Sequence, residues 1–281
     1  MLDVILDTLI DSIKLLPFLF ITYLLMEYIE HKMKHKSKET IQKSGKWGPF
    51  FGSLLGIFPQ CGFSVSATNL YAGRVITLGT LIAVYLSTSD EMLPIFISEA
   101  VSPIIILKIL AIKLGIGMIA GFIIDLVINV LTKNKIKENI EQVCEEEHCH
   151  CNENGILKSS IHHTLNIFVY IIIISFIINT IVHFIGEEAI ANLLLNKPII
   201  GPLVSALIGL IPNCASSVIL TELFIEKVIS MPILISGVAV NAGVGLLVLF
   251  KTNKNVKENI SIVGLLYGIG VIAGIILELF L

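Results

Sequence analysis

Charge is what this sequence has least of. Asp, Glu, Lys and Arg together supply 15% of its 281 residues, where a soluble domain would carry roughly a quarter. Missing too are a glycine-rich phosphate loop, a nucleophile elbow and an HExxH pair, so ATP-driven pumping and intramembrane metalloprotease chemistry have no residues to carry them. The first residues, "MLDVILDTLIDSIK", contain no basic region and no small-residue cleavage site, so they do not read as a signal peptide. The five cysteines (61, 144, 149, 151 and 214) are an odd number, with two in apolar segments and three in one short loop. That excludes a closed disulfide framework and reads as thiols kept reduced and available to soft metals.

What is present is apolar. Hydrophobic residues make up 55% of the chain and the mean hydropathy is +0.90. The runs 104–131, 165–185, 228–250 and 260–281 approach or exceed the roughly 20 residues that cross a bilayer as a helix. The expected fold class is therefore an all-α polytopic membrane protein, with the lipid bilayer as a partner and no nucleic acid. The oligomeric state is left open.

The chain also repeats itself. With a shift of 153 residues, "GPFFGSLLGIFPQCGFSVSATNLYAGRVIT" (48–77) lies on "GPLVSALIGLIPNCASSVILTELFIEKVIS" (201–230) with 12 of 30 positions identical. At the same shift "GIGMIAGFIIDLVI" (115–128) lies on "GIGVIAGIILELFL" (268–281), 8 of 14 identical, with Asp125 facing Glu278. Apolar composition inflates matches among Leu, Ile and Val, but not matched Gly-Pro, Pro-x-Cys and Gly-x-Gly at one register. The two transmembrane repeats are 1–131 and 158–281, joined by a Cys/His-rich linker at 132–157.

Lysine placement gives a topology. The loop 31–47 has six Lys, one Glu and Trp47, and is expected in the cytoplasm. The linker, with lysines 133, 135 and 137 at a helix end, and the basic loop 251–259 fall on the same side. The acidic 186–196 falls outside, as do both termini. The halves are then inverted relative to each other, and each needs an odd number of crossings. Residues 48–72 leave about a dozen residues on either side of Pro59-Gln60-Cys61, too few per arm to span roughly 30 Å. The economical reading is a re-entrant hairpin with its tip there, and a second with its tip at Pro212-Asn213-Cys214; two tilted short spans per hairpin are the alternative. The crossings that follow are interrupted as well, at Ser87–Asp90 and at Asn241. Irregular backbone at membrane depth survives where it is buried or lines a cavity, and paired broken helices are the layout of transporter binding sites.

The candidate substrate-binding residues follow from these breaks. Half-helix ends leave backbone N–H and C=O groups free to bind an ion. Pro59, Gln60, Cys61 and Ser64 at one tip, and Pro212, Asn213, Cys214 and Ser217 at the other, add thiol, amide and hydroxyl ligands near the midplane. The blander alternative makes each proline a kink and each cysteine a small apolar filler. Thr88 and Asn241 join the set from the second breaks. Asp90 is the candidate coupling group, or else an interfacial carboxylate. The linker's "CEEEHCHC" places Cys144, His148, Cys149, His150 and Cys151 within eight residues, a density suited to zinc, copper or trivalent arsenic. It reads as a flexible chelating tether and not the translocation site, with a solvated linker as the alternative. No other cofactor is expected. Asp3, Asp7 and Asp11 share one helix face, either an acidic vestibule or a wetted first turn. His162 and His163 read as interfacial, and Lys108 and Lys113 as partners for Asp90 or Asp125, undecided between them.

The two copies "GPFFGSLLGIFPQCGFS" and "GPLVSALIGLIPNCASS", with the Cys/His linker, resemble the ten-helix heavy-metal exporters of bacteria. That family is related to the arsenic-efflux permeases and is sometimes labelled as manganese transporters. The resemblance covers nearly the whole chain. It implies export of a metal or metalloid across the inner membrane, with Cys61 and Cys214 as the motif cysteines. This chain's motif is poorer in cysteine than the permeases' motif. The expected function is secondary-active export of an arsenite-like or thiophilic divalent ion, not enzymatic catalysis. Manganese export through oxygen ligands is the alternative within transport, and a membrane-bound metal sensor the alternative of another class.

Overall fold

The computed structural model describes residues 47–59, 61–89, 91–131, 156–185 and 199–280, with isolated helical positions between 10 and 24. Gln60, Asp90 and the linker residues Cys144, His148, Cys149, His150 and Cys151 lie outside the described residues, as do Asp3, Asp7, Asp11 and the side chains of His162 and His163. Among the described residues all regular structure is helical. The first series is α1 (Gly48–Gly56), α2 (Gly62–Ala72), α3 (Leu78–Ser87), α4 (Met92–Ser98) and α5 (Pro103–Leu131). After α6 (Ile156–Ile185) comes a second series: α7 (Ile200–Gly209), α8 (Cys214–Ile225), α9 (Met231–Val240), α10 (Gly245–Thr252) and α11 (Val256–Phe280). Among the described residues, four stretches are long and apolar enough to cross a membrane: 78–98, 103–130, 231–252 and 256–280.

Helix starts and stops follow the local chemistry. Pro49 sits in the first turn of α1 and Pro232 in that of α9, where proline's missing N–H costs nothing. Thr77 caps α3 by accepting a hydrogen bond from the Thr80 amide at 3.1 Å. α2 ends in a tight turn: Val75 N–H donates back to Leu70 O at 2.8 Å, with Arg74 left-handed at φ 56°. α8 ends likewise, with Val228 N–H to Leu223 O at 2.9 Å and Lys227 at φ 61°. The 6→1 bond marks a Schellman-type terminus.

The α1–α2 pair is a helical hairpin against α3. A Cβ added at Gly48 would strike Thr80, and one at Gly56 would strike Ser87 and lie 2.6 Å from Val84 O, so α1 runs alongside α3 in the same direction. α2 then returns to the Thr77 end. α7 repeats this against α9, with Gly201 against Ile233 and Gly209 against Gly237. α5 and α11 pack back-to-front on the same central helices, Gly117 meeting Ala83 O and Gly270 meeting Ser236 O. At nine to twelve residues, α1, α2, α7 and α8 are each about half the length that crosses a bilayer.

One further recurrence sits at the 153-residue shift. Asp125 Oδ2 accepts from Thr77 Oγ1 at 2.7 Å and its Oδ1 accepts from Gly79 N–H at 2.9 Å, tying the far end of α5 to the start of α3. Ser230 Oγ donates to Glu278 Oε2 at 3.3 Å across α9 and α11. Lys113 therefore does not pair with Asp125.

The two series share one core, with Tyr71, Leu81 and Tyr85 packed among Val240, Leu246 and Leu266. The exchange between them is reciprocal: α2 packs on α10, and α8 packs on α4. The stretch 231–252 is buried nearly throughout, whereas α5 and α11 expose Ile104, Leu107, Leu126, Ile260, Ile272 and Leu279 in the manner of lipid-facing helices.

Candidate functional site

Each hairpin tip meets the break in the central helix of its own series. α3 ends at Ser87, and Ser89 in the gap donates to Ile57 O of the first tip at 2.7 Å. α9 ends at Val240, and Asn241 in the gap donates through Nδ2 to Ser216 Oγ at 3.0 Å and to Asn213 O at 3.4 Å. Asn241 Oδ1 accepts from Gly243 N–H at 2.7 Å, an Asx turn that leads into Gly243 at φ 53° and the start of α10. Asn241 is 3% exposed, so each of these bonds stands in for water the site excludes.

Within the tips, hydroxyls turn back onto the backbone at matched places. Ser64 Oγ donates to Cys61 O at 2.7 Å and Ser217 Oγ to Cys214 O at 2.8 Å. One turn on, Thr68 donates to Ser64 O at 2.7 Å and Thr221 to Ser217 O at 2.6 Å. The hydroxyl oxygens keep their lone pairs for another partner. The tips differ in cover: Pro59 is exposed and Cys61 half-buried, while Asn213 and Cys214 are buried. Cys61 lies against an apolar patch of Val65, Ile171, Val244, Leu247 and Val248. Among the described residues no three His, Cys, Asp or Glu side chains are grouped to hold a metal. Among the described residues, Ser89, Asn241 and the tip carbonyls bring hydroxyl, amide and carbonyl oxygen to the breaks.

Two residues that the sequence reading did not place in the site stand at the junction of the series. Tyr85 OH bonds to Thr68 Oγ1 and donates to Gly245 O at 3.3 Å, while Thr68 Oγ1 reaches the same carbonyl at 3.2 Å. Lys113 is fully buried; its Nζ donates to Thr88 O, at the end of α3, and to Val238 O, in the last turn of α9, the latter at 2.9 Å. Thr88's own hydroxyl turns back to Val84 O at 2.7 Å. A lysine in an apolar stretch was a signal available in the sequence, but two of its partners are backbone carbonyls 25 and 125 residues away. Lys108, five residues earlier, is exposed.

At one end of the molecule Arg74 makes a two-pronged ion pair with Glu258, Nη1 to Oε1 at 2.8 Å and Nη2 to Oε2 at 3.1 Å. Tyr71 OH donates to the same carboxylate, which holds the Arg74 guanidinium above its ordinary pKa. The exit of the first hairpin and the 251–259 loop therefore lie at the same end.

A family model described as "Putative, 10TM heavy-metal exporter" matches residues 1–184 and 128–267. No curated protein and no solved structure matches the chain. The chain belongs to this exporter family and is a multi-pass membrane protein.

Proposed function

From membership of that exporter family, we propose that this chain is a secondary-active exporter of a soft metal or metalloid ion, arsenite-like or a thiophilic divalent cation. The observation that carries the reading is the meeting of tip and break in both series, Ser89 on Ile57 O and Asn241 on Asn213 O and Ser216. A helix interrupted at that depth leaves carbonyls and amides that only an ion, water or side chain can satisfy. The two series are inverted repeats, the α1–α2 and α7–α8 hairpins are re-entrant, and cargo binds between their tips. Cys61 and Cys214 supply soft ligands, with Ser64, Ser217, Thr88, Asn241, Gln60 and Asn213 as oxygen ligands, and Pro59 and Pro212 ending the half-helices. Alternating access comes from rocking one half against the other across the α2–α10 and α8–α4 contacts. The chain sits in the bacterial inner membrane with both termini outside. The linker is cytoplasmic, and its Cys144, His148, Cys149, His150 and Cys151 act as a chelating tether. Asp90 is a coupling candidate.

Manganese export is the second reading, favoured by the oxygen-rich lining of the breaks and by the apolar packing of Cys61. Metal accumulation separates the two in cells expressing wild type, Cys61→Ser/Cys214→Ser and Asn241→Ala and challenged with arsenite, cadmium, zinc and manganese. The thiol reading expects the double serine variant to retain arsenite and cadmium in the cell. Export undiminished by that variant but lost in Asn241→Ala selects oxygen ligands. A protein that moves none of the four ions, with effects confined to 144–151, is a sensor.

A further inference from the structure

One face of α2 is polar and is turned to the second series. Ser64, Thr68 and Tyr71 stand on it at i, i+4 and i+7. A Cβ on Gly245, at the start of α10, would meet Ser64 at 3.0 Å. Thr68 reaches Gly245 O at 3.2 Å, beside Tyr85. Tyr71 OH donates to Glu258 of α11, and Arg74, just past the helix end, grips the same carboxylate with two N–H groups. The guanidinium also lies 5.3 Å from the centre of the Tyr71 ring. This seam runs from the first tip to the 251–259 loop and grows wetter on the way. Ser64 is 0% and Tyr71 4% exposed, while the Glu258 and Arg74 side chains are 21% and 42% exposed.

The matching seam along α8 has different chemistry. At the 153-residue shift Tyr71, Arg74 and Glu258 become Phe224, Lys227 and Ile105, and Tyr85 and Gly245 become Val238 and Met92. Phe224 meets Phe96 of α4 with ring centres 5.9 Å apart. Met92 and Phe96 are fully buried in a cluster with Ile219, Leu220 and Leu223. The long helix α5 sets the two seams at opposite ends of the molecule. Its Asp125 binds Thr77, three residues beyond Arg74, whereas its first residue, Pro103, closely follows α4. At 1.5 Å per residue those two points on α5 are roughly 33 Å apart.

The two seams are unequally hard to part. Water replaces the partners of a half-exposed ion pair at little net cost. Parting aromatic and aliphatic side chains exposes apolar area with nothing to offset it. Rigid-body rocking gives up contacts at one end while keeping those at the other.

We propose that Tyr71, Arg74 and Glu258 form the gate at the 251–259 loop end, the one that opens first in the cargo-free protein, while Phe96 and Phe224 close the opposite end. The inference rests on the reading that cargo binds at the paired breaks and that the halves rock across them. Parting α2 from α10 and α11 uncovers the first tip and the start of α10 in one movement, so the loop end is where cargo enters. The ion pair then re-forms behind it, and the aromatic pair parts to release it.

The test reads the accessibility of Cys214, buried at the second tip, with the other four cysteines replaced by serine. A small, charged, impermeant methanethiosulfonate is applied to intact cells and to everted vesicles. The loop side is whichever preparation labels Lys254→Cys in a chain without native cysteines. Glu258→Gln and Arg74→Gln are each expected to speed Cys214 labelling about two- to fivefold from the loop side and not from the other. These substitutions change the local charge in opposite senses, so acceleration by both is no field effect on the reagent. Phe224→Ala should speed labelling from the opposite side alone. Added salt screens the ion pair, so it should speed loop-side labelling of the parent and leave Glu258→Gln unmoved; the parent's response serves if the variants fail to fold. Loop-side labelling indifferent to Glu258, Arg74 and salt overturns the gate, as does an equal rise from both sides, which marks a loosened fold. Gated labelling in a protein that moves none of the tested ions keeps the gate and overturns the exporter reading. Cys214 unlabelled from either side in every variant overturns the gate and a cargo path past the tips with it.

Discussion

At the scale of single residues, the tightest demands are where helices touch backbone to backbone. A Cβ at Gly209 would collide with Gly237 O and lie 2.8 Å from its carbonyl carbon, neither of which can swing aside. Gly209→Ala is expected to cost about 1–3 kcal/mol, the usual range for overpacking. Gly268→Ala, where nothing lies within 4 Å, should leave the melting temperature in detergent unchanged. Asn241→Ala strips the partner from Asn213 O and Gly243 N–H in a buried place. It should cost about 1–3 kcal/mol by the same melting measurement and abolish export as well. Asn241 was legible in the sequence because an amide among glycines in an apolar span is conspicuous. Tyr85 was not, since a tyrosine within "AVYLS" reads as core and only the fold reveals that its hydroxyl reaches Gly245 O. Lys113 was visible as a charge but not as a bridge.

At the scale of elements, the helices that matter are short and held by their neighbours. α3 has its start fixed by a carboxylate from α5, and α9 by one from α11. Asp125 makes two bonds at 2.7 and 2.9 Å where Glu278 makes one at 3.3 Å. Asp125→Ala is therefore expected to lower stability by about 1 kcal/mol, as loss of a helix cap does, and Glu278→Ala by less. Thermal unfolding of both variants checks the order, and equal losses would contradict it. The breaks themselves were legible because proline, glycine and small polar residues interrupt apolar runs at constant register. The direction of each hairpin was legible only through length. The structure adds the glycine contacts that run α1 alongside α3 and α7 alongside α9.

At the scale of the molecule, the Arg74–Glu258 pair joins the first hairpin to the start of α11, and both partners are partly exposed. An ion pair so placed is worth about 0–1 kcal/mol, so Glu258→Gln should barely move the melting temperature. The pair bears more on orientation than on stability. With the five native cysteines replaced by serine, an impermeant maleimide applied outside intact cells should label Ala100→Cys and spare Lys254→Cys. Labelling of Lys254→Cys alone would reverse the topology. Matched Gly-Pro and Pro-x-Cys stretches at one register marked in the chain where short helices recur, at 48–72 and at 200–225. Several of the groups that face each other across the two series were not readable, because partners such as Gly245 O and Val238 O are backbone oxygens. The central claim is that an ion passes through these paired breaks, and accumulation of Cd2+ or arsenite in everted membrane vesicles tests it most directly. Vesicles with the wild-type chain should accumulate the ion above vesicles lacking it, and vesicles carrying Cys61→Ser/Cys214→Ser with Asn241→Ala should not; equal accumulation in all three would contradict the account.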